Sequence, residues 1–331
     1  MFGALVAMVM AGGARAQEPG AEVEVEEPVG TWRFRADDRP IKVVVIGGSV
    51  SAWPKGSFGQ FVEAVCPRVE VVNRGKARLG ALQLKRRFAR QVLDNRRIDP
   101  KSYEAMWLLF NGGLNSIGTP EQTNRRVADI LKAARREGIH TIALSVGPWG
   151  DESDRRWRGP RGLHYQDVTR LAVDYLMGRV PPETAFGPEA AGRTEYEEGE
   201  LPDIAVDIYD SPLRDRDAAL RDEELTRRQL ALDREVRARL ADVPEAERDG
   251  RLEALVQQAR ELPRWYLRKE LRAFDHIHPN IDGHRIIAET MCPKLPEAWG
   301  CQCASLPGIT WSAEARGLAP EVQAHADSRR P

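Results

Sequence analysis

Short apolar runs alternate with longer amphipathic segments through most of the chain. The apolar runs are rich in β-branched residues and lack a polar face, which is typical of strands in a parallel sheet covered on both sides. We predict five strands, at residues 41–46, 69–72, 105–110, 139–146 and 203–209.

Helix signals stand between these strands. Ser57, with Gln60 three residues later, forms a capping box, and Pro120 follows Thr119 at the start of another helix. Further helical segments are predicted at residues 82–93, 168–177 and 285–291. Strands that alternate with helices in this way predict an α/β fold with a doubly wound parallel sheet and right-handed crossovers.

The alternation stops between residues 212 and 274. This segment is dominated by Arg, Glu, Asp, Leu and Ala, and its apolar residues keep helical spacing between Leu252 and Leu262. Pro244 and Pro263 divide it into two or three predicted helices. The segment is therefore a charged helical insertion, which serves either as a solvated appendage or as a lid over a site.

The first strand ends in a tight turn, Gly47-Gly48-Ser49. Glycine permits backbone angles that other residues resist, so the chain can turn sharply at the carboxyl end of this strand. Open α/β sheets bind their ligands at that end. Ser49 is thus predicted to lie exposed near a crevice, although a serine in a glycine-rich turn does not by itself indicate chemistry.

Composition narrows the classes of function. The chain has 331 residues, of which 42% are hydrophobic, enough for one substantial core with an extension. Its 49 basic and 50 acidic residues leave a net charge of −1, and acids are interleaved with the arginines, so no nucleic-acid partner is expected. No apolar stretch reaches about 18 residues, so no stable membrane insertion is expected.

The N-terminus resembles an export signal. A short apolar run at residues 2–10 precedes Ala14-Arg15-Ala16, an A-x-A-type cleavage site, although no basic residue stands before the run. We predict a signal peptide at 1–16, an acidic linker at 17–38, a main domain at 39–300 and a tail at 301–331. The protein is then expected to be exported, to a periplasm or to the outside of the cell.

Four cysteines fit an oxidising compartment. Cys66 stands alone, whereas Cys292, Cys301 and Cys303 cluster near the C-terminus. Zinc is the competing explanation, but no Cys-x-x-Cys spacing is present. Two disulfides are therefore expected, and no metal.

The segment from Asp275 to His284 concentrates ionisable side chains before the last predicted helix. His276 and His278 could be metal ligands, yet no third ligand with suitable spacing is found. The alternative is hydrolytic chemistry, in which an imidazole acts as general base and an aspartate fixes its tautomer next to Ser49. His276 and His284 are interpreted as hydrogen-bonding or packing residues.

Four short blocks make the hydrolytic interpretation specific, because the sequence resembles the SGNH/GDSL-type hydrolases. The blocks are Gly47-Gly48-Ser49-Val50-Ser51, Asn73-Arg74-Gly75, Gly113-Leu114-Asn115-Ser116 and Asp275-His276-Ile277-His278-Pro279. The first three each follow a predicted strand and the fourth precedes the last helix. The resemblance covers about residues 41–292 without the insertion. Gly48 and Ser116 depart from it, since the family has aspartates there.

The resemblance implies a flavodoxin-like sheet and a set of residue roles. Ser49 corresponds to the nucleophile, His278 to the base and Asp275 to the acid that orients the base. The oxyanion hole corresponds to the backbone N–H groups of Ser49 and Gly75 and the side-chain amide of Asn115. No cofactor is implied.

The function expected from this resemblance is that of a serine esterase acting on a small ester or an acylated glycan, with lipid esters as a further substrate class. An O-acyltransferase on the same site and a catalytically quiet glycan-binding module are the alternatives. Trp53 and Trp149 each follow the carboxyl end of a strand. They are candidates for lining the substrate pocket, with buried packing as the other interpretation.

The flavodoxin-like arrangement also favours a disulfide pairing. Its first and last helices flank the same face of the sheet, which places Cys66 and Cys292 together at the pole away from Ser49. We therefore predict Cys66–Cys292 with Cys301–Cys303. The second choice is Cys66–Cys303 with Cys292–Cys301.

Overall fold

The computed structural model of the protein describes residues 40–54, 56–96, 98 and 103–306. The predicted signal peptide, the predicted linker and residues 307–331 of the predicted tail lie outside these residues. No helix within the described ranges is long and apolar enough to cross a membrane.

The core of the fold is a five-stranded parallel sheet. Its strands are β1 (Ile41–Gly47), β2 (Val69–Asn73), β3 (Ala105–Asn111), β4 (His140–Leu144) and β5 (Ile204–Val206). Their order in the sheet is β2-β1-β3-β4-β5, which is the flavodoxin-like order of a doubly wound sheet. The predicted fold class is therefore confirmed.

Two strands are shorter than the hydrophobic pattern predicts: β4 was predicted at 139–146 and β5 at 203–209. β5 ends at Val206 because the next residue, Asp207, starts a turn. Its carboxylate accepts the backbone N–H groups of Tyr209 and Asp210, at 2.9 and 3.1 Å. The apolar side chains of Ile208 and Tyr209, beyond β5, are buried in this turn. In the sequence they therefore look like a continuation of the strand.

Nine named α-helices within the described residues surround the sheet and form the insertion. They are α1 (Phe58–Val65), α2 (Ala81–Phe88), α3 (Pro120–Arg136), α4 (Arg161–Leu176), α5 (Pro182–Phe186), α6 (Glu223–Leu232), α7 (Arg234–Ala241), α8 (Glu245–Glu261) and α9 (Ile281–Met291). The predicted capping box is present at α1, where the Ser57 N–H donates to Gln60 Oε1 at 3.0 Å.

Side chains of β1 alternate between the two faces of the sheet. Val43 and Val45 belong to the apolar cluster that contains α1 and α9, whereas Val44 and Ile46 belong to the cluster that contains α2 and α3. All four are buried to within 1% exposure, so both faces of the central strand are covered. This explains why β1 appears in the sequence as an uninterrupted apolar run.

α4 begins seven residues before the predicted start at residue 168, at Arg161. Its buried side chains face two directions. Tyr175 packs in the apolar cluster that contains α2 and α3, whereas Leu163 packs in a third apolar cluster that includes residues of the insertion. A helix buried on two sides shows no single apolar stripe, so its first turns carry no clear helical period.

The insertion forms three helices, α6 to α8, in agreement with the prediction of two or three. Two hydrogen bonds close its neck: the Arg268 N–H donates to Leu213 O at 2.8 Å and the Asp215 N–H to Tyr266 O at 2.9 Å. The third apolar cluster joins the insertion to α4 and to the segment that precedes it. Its members include Trp149, Trp157, Leu163, Leu230, Val256 and Leu262. The insertion therefore shares an apolar core with α4 and returns to the point where it started.

The disulfides are Cys66–Cys301 and Cys292–Cys303, so both predicted pairings are wrong. The link from Cys66 to the C-terminal cysteine cluster is present as predicted. After α9 the chain turns back toward α1, where the Gln302 N–H donates to Val65 O at 2.8 Å. This return places Cys301, rather than Cys292, beside Cys66. Two disulfides are typical of proteins from oxidising compartments.

The two disulfides should differ in their contribution to stability. The Cys66–Cys301 bond closes a separation of 235 residues and the Cys292–Cys303 bond one of 11. The chain-entropy relation gives about 5 kcal/mol for the longer closure and about 3 kcal/mol for the shorter. We expect Cys66→Ser/Cys301→Ser to lower the urea midpoint more than Cys292→Ser/Cys303→Ser, measured by circular dichroism. Equal shifts would contradict this ranking.

Candidate active site

Ser49 lies on a turn that is held against the end of β3. The Gly48 N–H donates to the Asn111 carbonyl oxygen at 3.1 Å, and the Ala52 N–H donates to Gly48 O at 3.0 Å. At Gly47 a Cβ atom would lie 2.1 Å from the same Asn111 oxygen. Only glycine allows this close approach of two backbones, and the approach determines where Ser49 is presented.

Ser49, His278 and Asp275 are brought together at this edge of the sheet. His278 Nε2 lies 2.5 Å from Ser49 Oγ, across a sequence separation of 229 residues. His278 Nδ1 contacts Asp275 Oδ2. The other Asp275 oxygen accepts the backbone N–H groups of Ile277 and His278, both at 3.0 Å. The hydroxyl, imidazole and carboxylate thus form a continuous chain of contacts.

Asp275 is held in its ionised form. Burial alone would raise the pKa of this carboxyl, but the His278 ring and the backbone N–H donors outweigh burial, so the pKa lies below its ordinary value. An ionised Asp275 fixes the proton of the neutral imidazole on Nδ1. Nε2 is then free to accept a hydrogen bond from the Ser49 hydroxyl.

The loop that carries Asp275 and His278 is fixed at both ends. The Ala273 N–H donates to His278 O and the Asn280 N–H donates to Leu271 O, both at 2.8 Å. Asn280 also caps α9, because its Oδ1 accepts the Gly283 N–H at 3.0 Å. The imidazole is therefore presented from the N-terminus of the last helix.

Two of the three residues predicted for the oxyanion hole, Ser49 and Asn115, line the pocket. Within the described residues, the Ser49 N–H donates to no protein acceptor. Asn115 lines the same pocket, and its Nδ2 donates to Leu79 O at 3.2 Å. A side-chain amide carries two hydrogens, so one remains for another acceptor.

The third predicted donor, the Gly75 N–H, has a partner within the protein. Its N–H donates to Asn73 Oδ1 at 2.8 Å, and Gly75 does not line the pocket beside Ser49. The Nδ2 of Asn73 in turn donates to Ser51 O at 2.6 Å. The Asn73 side chain therefore ties the end of β2 to the Ser49 turn through its Nδ2, while its Oδ1 accepts the Gly75 N–H.

The pocket beside Ser49 is small and mainly apolar. Its cavity volume is about 40 Å³. It is lined by Gly48, Ser49, Val50, Asn111, Gly112, Gly113, Leu114, Asn115, Val146, Gly147, Pro148, Trp149, Ile208, Leu213, Leu267, Ile277, Pro279 and Ile287. Leu213 and Leu267 come from the two sides of the insertion neck, so the insertion begins and ends at the pocket.

The two tryptophans predicted for the pocket have different positions. Trp149 lines it and is only 1% exposed as a residue. Trp53 is not among the lining residues and packs instead beside the imidazoles of His278 and His284, with ring centroids 6.5 and 5.5 Å away. Trp53 therefore supports the His278 ring from its side.

Sequence reasoning assigned no role to two asparagines that shape the Ser49 turn. Asn111 accepts the Gly48 N–H through its backbone oxygen, and Asn73 bonds the turn through its side chain. Both are the last residues of strands that pair with β1. A polar residue at the carboxyl end of an apolar run was the available signal.

No group of three or more His, Cys, Asp or Glu side chains in the described part of the chain could hold a metal ion.

No family model and no curated protein matches this chain. Among solved structures it is similar to a GDSL-like lipase from Bacteroides thetaiotaomicron, with 15% identity and a TM-score of 0.42, over 78% of this chain and 87% of the lipase. A lipolytic G-D-S-L family member from Veillonella parvula is similar at 12% identity and TM-score 0.43, over 76% and 97% of the two chains. An acetyl xylan esterase is similar at 13% identity and TM-score 0.41, over 77% and 100%. These identities and TM-scores are too low to assign a function to this chain, so its function has to be argued from its own side chains.

A buried histidine lies next to the site. His284 is fully buried beside Trp53 and Phe58, and neither of its ring nitrogens has a hydrogen-bond partner among the described residues. Burial, with a smaller contribution from the charge of His278, lowers the pKa of His284 from 6.5 to about 3. The folded protein therefore keeps this ring neutral.

The buried ring should make the protein sensitive to acid. Below pH 6.5 the unfolded chain gains a proton at His284 that the folded chain does not, so stability falls as the pH decreases toward 3. The slope is about 1.4 kcal/mol per pH unit well below 6.5. We expect His284→Leu to lose less stability than wild type between pH 7 and pH 4.5 in urea titrations. His140→Gln, at an exposed histidine, is the control, and a wild-type slope in His284→Leu would refute the assignment.

Proposed function

We propose that the protein is a serine esterase that hydrolyses carboxylic esters with a short acyl group. The observation that carries the proposal is the 2.5 Å contact between His278 Nε2 and Ser49 Oγ, with His278 Nδ1 held by Asp275. A hydroxyl, an imidazole and an ionised carboxylate in this sequence of contacts have the geometry needed for nucleophilic acyl transfer.

The proposed reaction has two steps. His278 takes the Ser49 proton while Oγ attacks the ester carbonyl, and the imidazolium then gives that proton to the leaving alcohol oxygen. Asp275, kept ionised, orients the ring and stabilises its positive form. Water then attacks the acyl-enzyme with the same base and releases the acid.

The negative oxygen of the tetrahedral intermediate needs donors at the pocket edge. The Ser49 N–H and the Asn115 side chain are the groups supported by the geometry. Removal of one such donor typically costs about 3 kcal/mol of barrier. The Gly75 N–H would become a third donor only if it released Asn73 Oδ1 and donated to the substrate oxygen instead.

The pocket supports a short acyl group. A cavity of about 40 Å³ holds more than one water-sized group, and an acyl group close to acetyl in size is the occupant we propose for it. Its walls beyond Ser49 are largely aliphatic, which suits a methyl group and disfavours a charged one. Acetylated glycans and other small acetyl esters are the proposed substrates.

Export is proposed together with this activity. The A-x-A-type site at residues 14–16 and the acidic segment at 17–38 are the basis for a signal peptide and a linker ahead of a hydrolase domain at 39–300. The two disulfides support an oxidising compartment.

Substitutions at the proposed site test the esterase assignment. Ser49→Ala and His278→Ala should remove nearly all hydrolysis of p-nitrophenyl acetate, and Asn115→Ala should lower kcat roughly a hundredfold or more. Ser305→Ala, at an exposed serine, is the control for loss of a hydroxyl. If Ser49→Ala retains more than about one tenth of the wild-type rate, the assignment is wrong. An added sugar acceptor separates hydrolysis from acyl transfer, because a transferase would release acetylated sugar.

Widening the pocket should change the acyl preference. Leu213 is 1% exposed and contributes to the pocket wall from the insertion neck. We expect Leu213→Ala to raise the kcat/KM ratio of p-nitrophenyl butyrate to acetate about tenfold, since the added space accepts further methylenes. Leu213→Val provides a milder cavity if the alanine variant is too unstable. Leu232→Ala, at a 77% exposed residue of the same insertion, is the control. An unchanged ratio in both Leu213 variants would mean that this wall does not limit acyl length.

A further inference from the structure

Two loops meet around the proposed acyl pocket. The loop after β4 contributes Gly147 to Trp149, and the loop before α9 contributes Ile277 and Pro279. Three side chains join these loops outside the pocket: Asp151, Arg272 and His276. We call this group the Asp151 clamp.

The contacts of the clamp converge on one carboxylate. Asp151 Oδ2 contacts Arg272 Nη1 and lies 3.4 Å from His276 Nδ1. Asp151 Oδ1 accepts the Ser153 N–H at 2.7 Å, which fixes the carboxylate within its own loop. The side chains of Arg272 and Asp151 are only 12% and 16% exposed, so solvent screens this pair less than a surface ion pair.

Arg272 extends the clamp to the insertion neck. Its Nε donates to the carbonyl oxygen of Leu267, a pocket-lining residue. Its backbone pairs with that of Pro279 in an antiparallel bridge, on the far side of His278. One guanidinium therefore connects the neck and the loop after β4, while its backbone pairs with the loop that carries His278.

His276 has an unusual backbone at the centre of this loop. Its φ is +61°, in the left-handed region that non-glycine residues rarely adopt. It stands between Asp275 and His278, so the conformation at His276 determines how those two side chains are directed. Strained residues of this kind persist when surrounding contacts hold them, and the nearest such contact is the 3.4 Å approach of His276 Nδ1 to Asp151, on a side chain that is 56% exposed.

We propose that Asp151 is a positioning residue of the esterase. By binding Arg272, with the His276 ring 3.4 Å away, it holds the loop that presents Asp275 and His278 to Ser49, at a set distance from the Trp149 wall. It thereby controls both the rate of the chemical step and the width of the acyl pocket. The inference rests on the proposed function. It assigns no chemistry to Asp151 itself, which neither lines the pocket nor contacts Ser49.

Glu152 provides a matched control. It is the next residue and also an acid in an ion pair, but its partner is Arg221 in the insertion, at 2.7 Å. Glu152→Ala therefore removes a carboxylate and an ion pair from the same loop without touching the Asp151 clamp.

The experiment compares Asp151→Ala, Asp151→Glu and Glu152→Ala on p-nitrophenyl acetate and butyrate. We expect Asp151→Ala to lower kcat for acetate about tenfold with little change in KM, because the imidazole is misplaced rather than removed. The butyrate-to-acetate ratio of kcat/KM should rise several-fold as the two loops separate. Asp151→Glu should recover part of kcat, and Glu152→Ala should behave like wild type in both measurements.

His276→Gly tests the clamp without loss of stability. Glycine adopts a positive φ without strain, so the thermal midpoint should not fall, yet kcat should decrease several-fold because the link to Asp151 is gone. The proposal is overturned if Asp151→Ala matches Glu152→Ala in kcat and in acyl ratio, or if His276→Gly keeps the full wild-type kcat. Failure of the proposed function would appear differently, as activity that survives Ser49→Ala in an otherwise wild-type chain.

Discussion

The parallel pairing of β1 with β3 is the constraint on which the site depends. Its register sets Gly47 opposite Asn111 at the ends of the two strands. At that point the backbones come so close that a single Cβ on Gly47 would collide with the Asn111 carbonyl. The Gly48 N–H then bonds this carbonyl, and the turn that follows can present Ser49 in one direction. A shift of register would move both the serine and the wall of its pocket.

The second half of the site is assembled by a different mechanism. Asp275 and His278 lie on a loop held by backbone hydrogen bonds, by the Asn280 cap of α9 and by the contacts of Arg272. The insertion enters just before this loop and returns to its own starting point. Its neck therefore contributes to the pocket, whereas its three helices pack on α4 and share an apolar cluster with it.

The two ends of the molecule are stabilised in different ways. Cys66–Cys301 and Cys292–Cys303 close the pole where α1 and α9 end, and Trp299 is buried there against Trp107. The end that carries the site is held by hydrogen bonds, ion pairs and the apolar packing around the pocket. Covalent closure at one pole limits the conformations of the unfolded chain, whereas the contacts around the site are non-covalent.

Much of this protein is determined by local patterns that the sequence displays directly. Buried parallel strands are apolar throughout because helices cover both faces, so all five strands could be predicted, and Gly47-Gly48-Ser49 indicated a turn at the carboxyl edge. Ser49, Asp275 and His278 were named from their blocks. Only the tertiary structure decided what depends on distant contacts. These features include the return of Cys301 to Cys66, the capture of the Gly75 N–H by Asn73, the separate places of Trp53 and Trp149, and the meeting of Asp151 with Arg272. The reason is physical: helix and strand periods are set by neighbours in the chain, whereas these contacts depend on where loops of irregular backbone end in space.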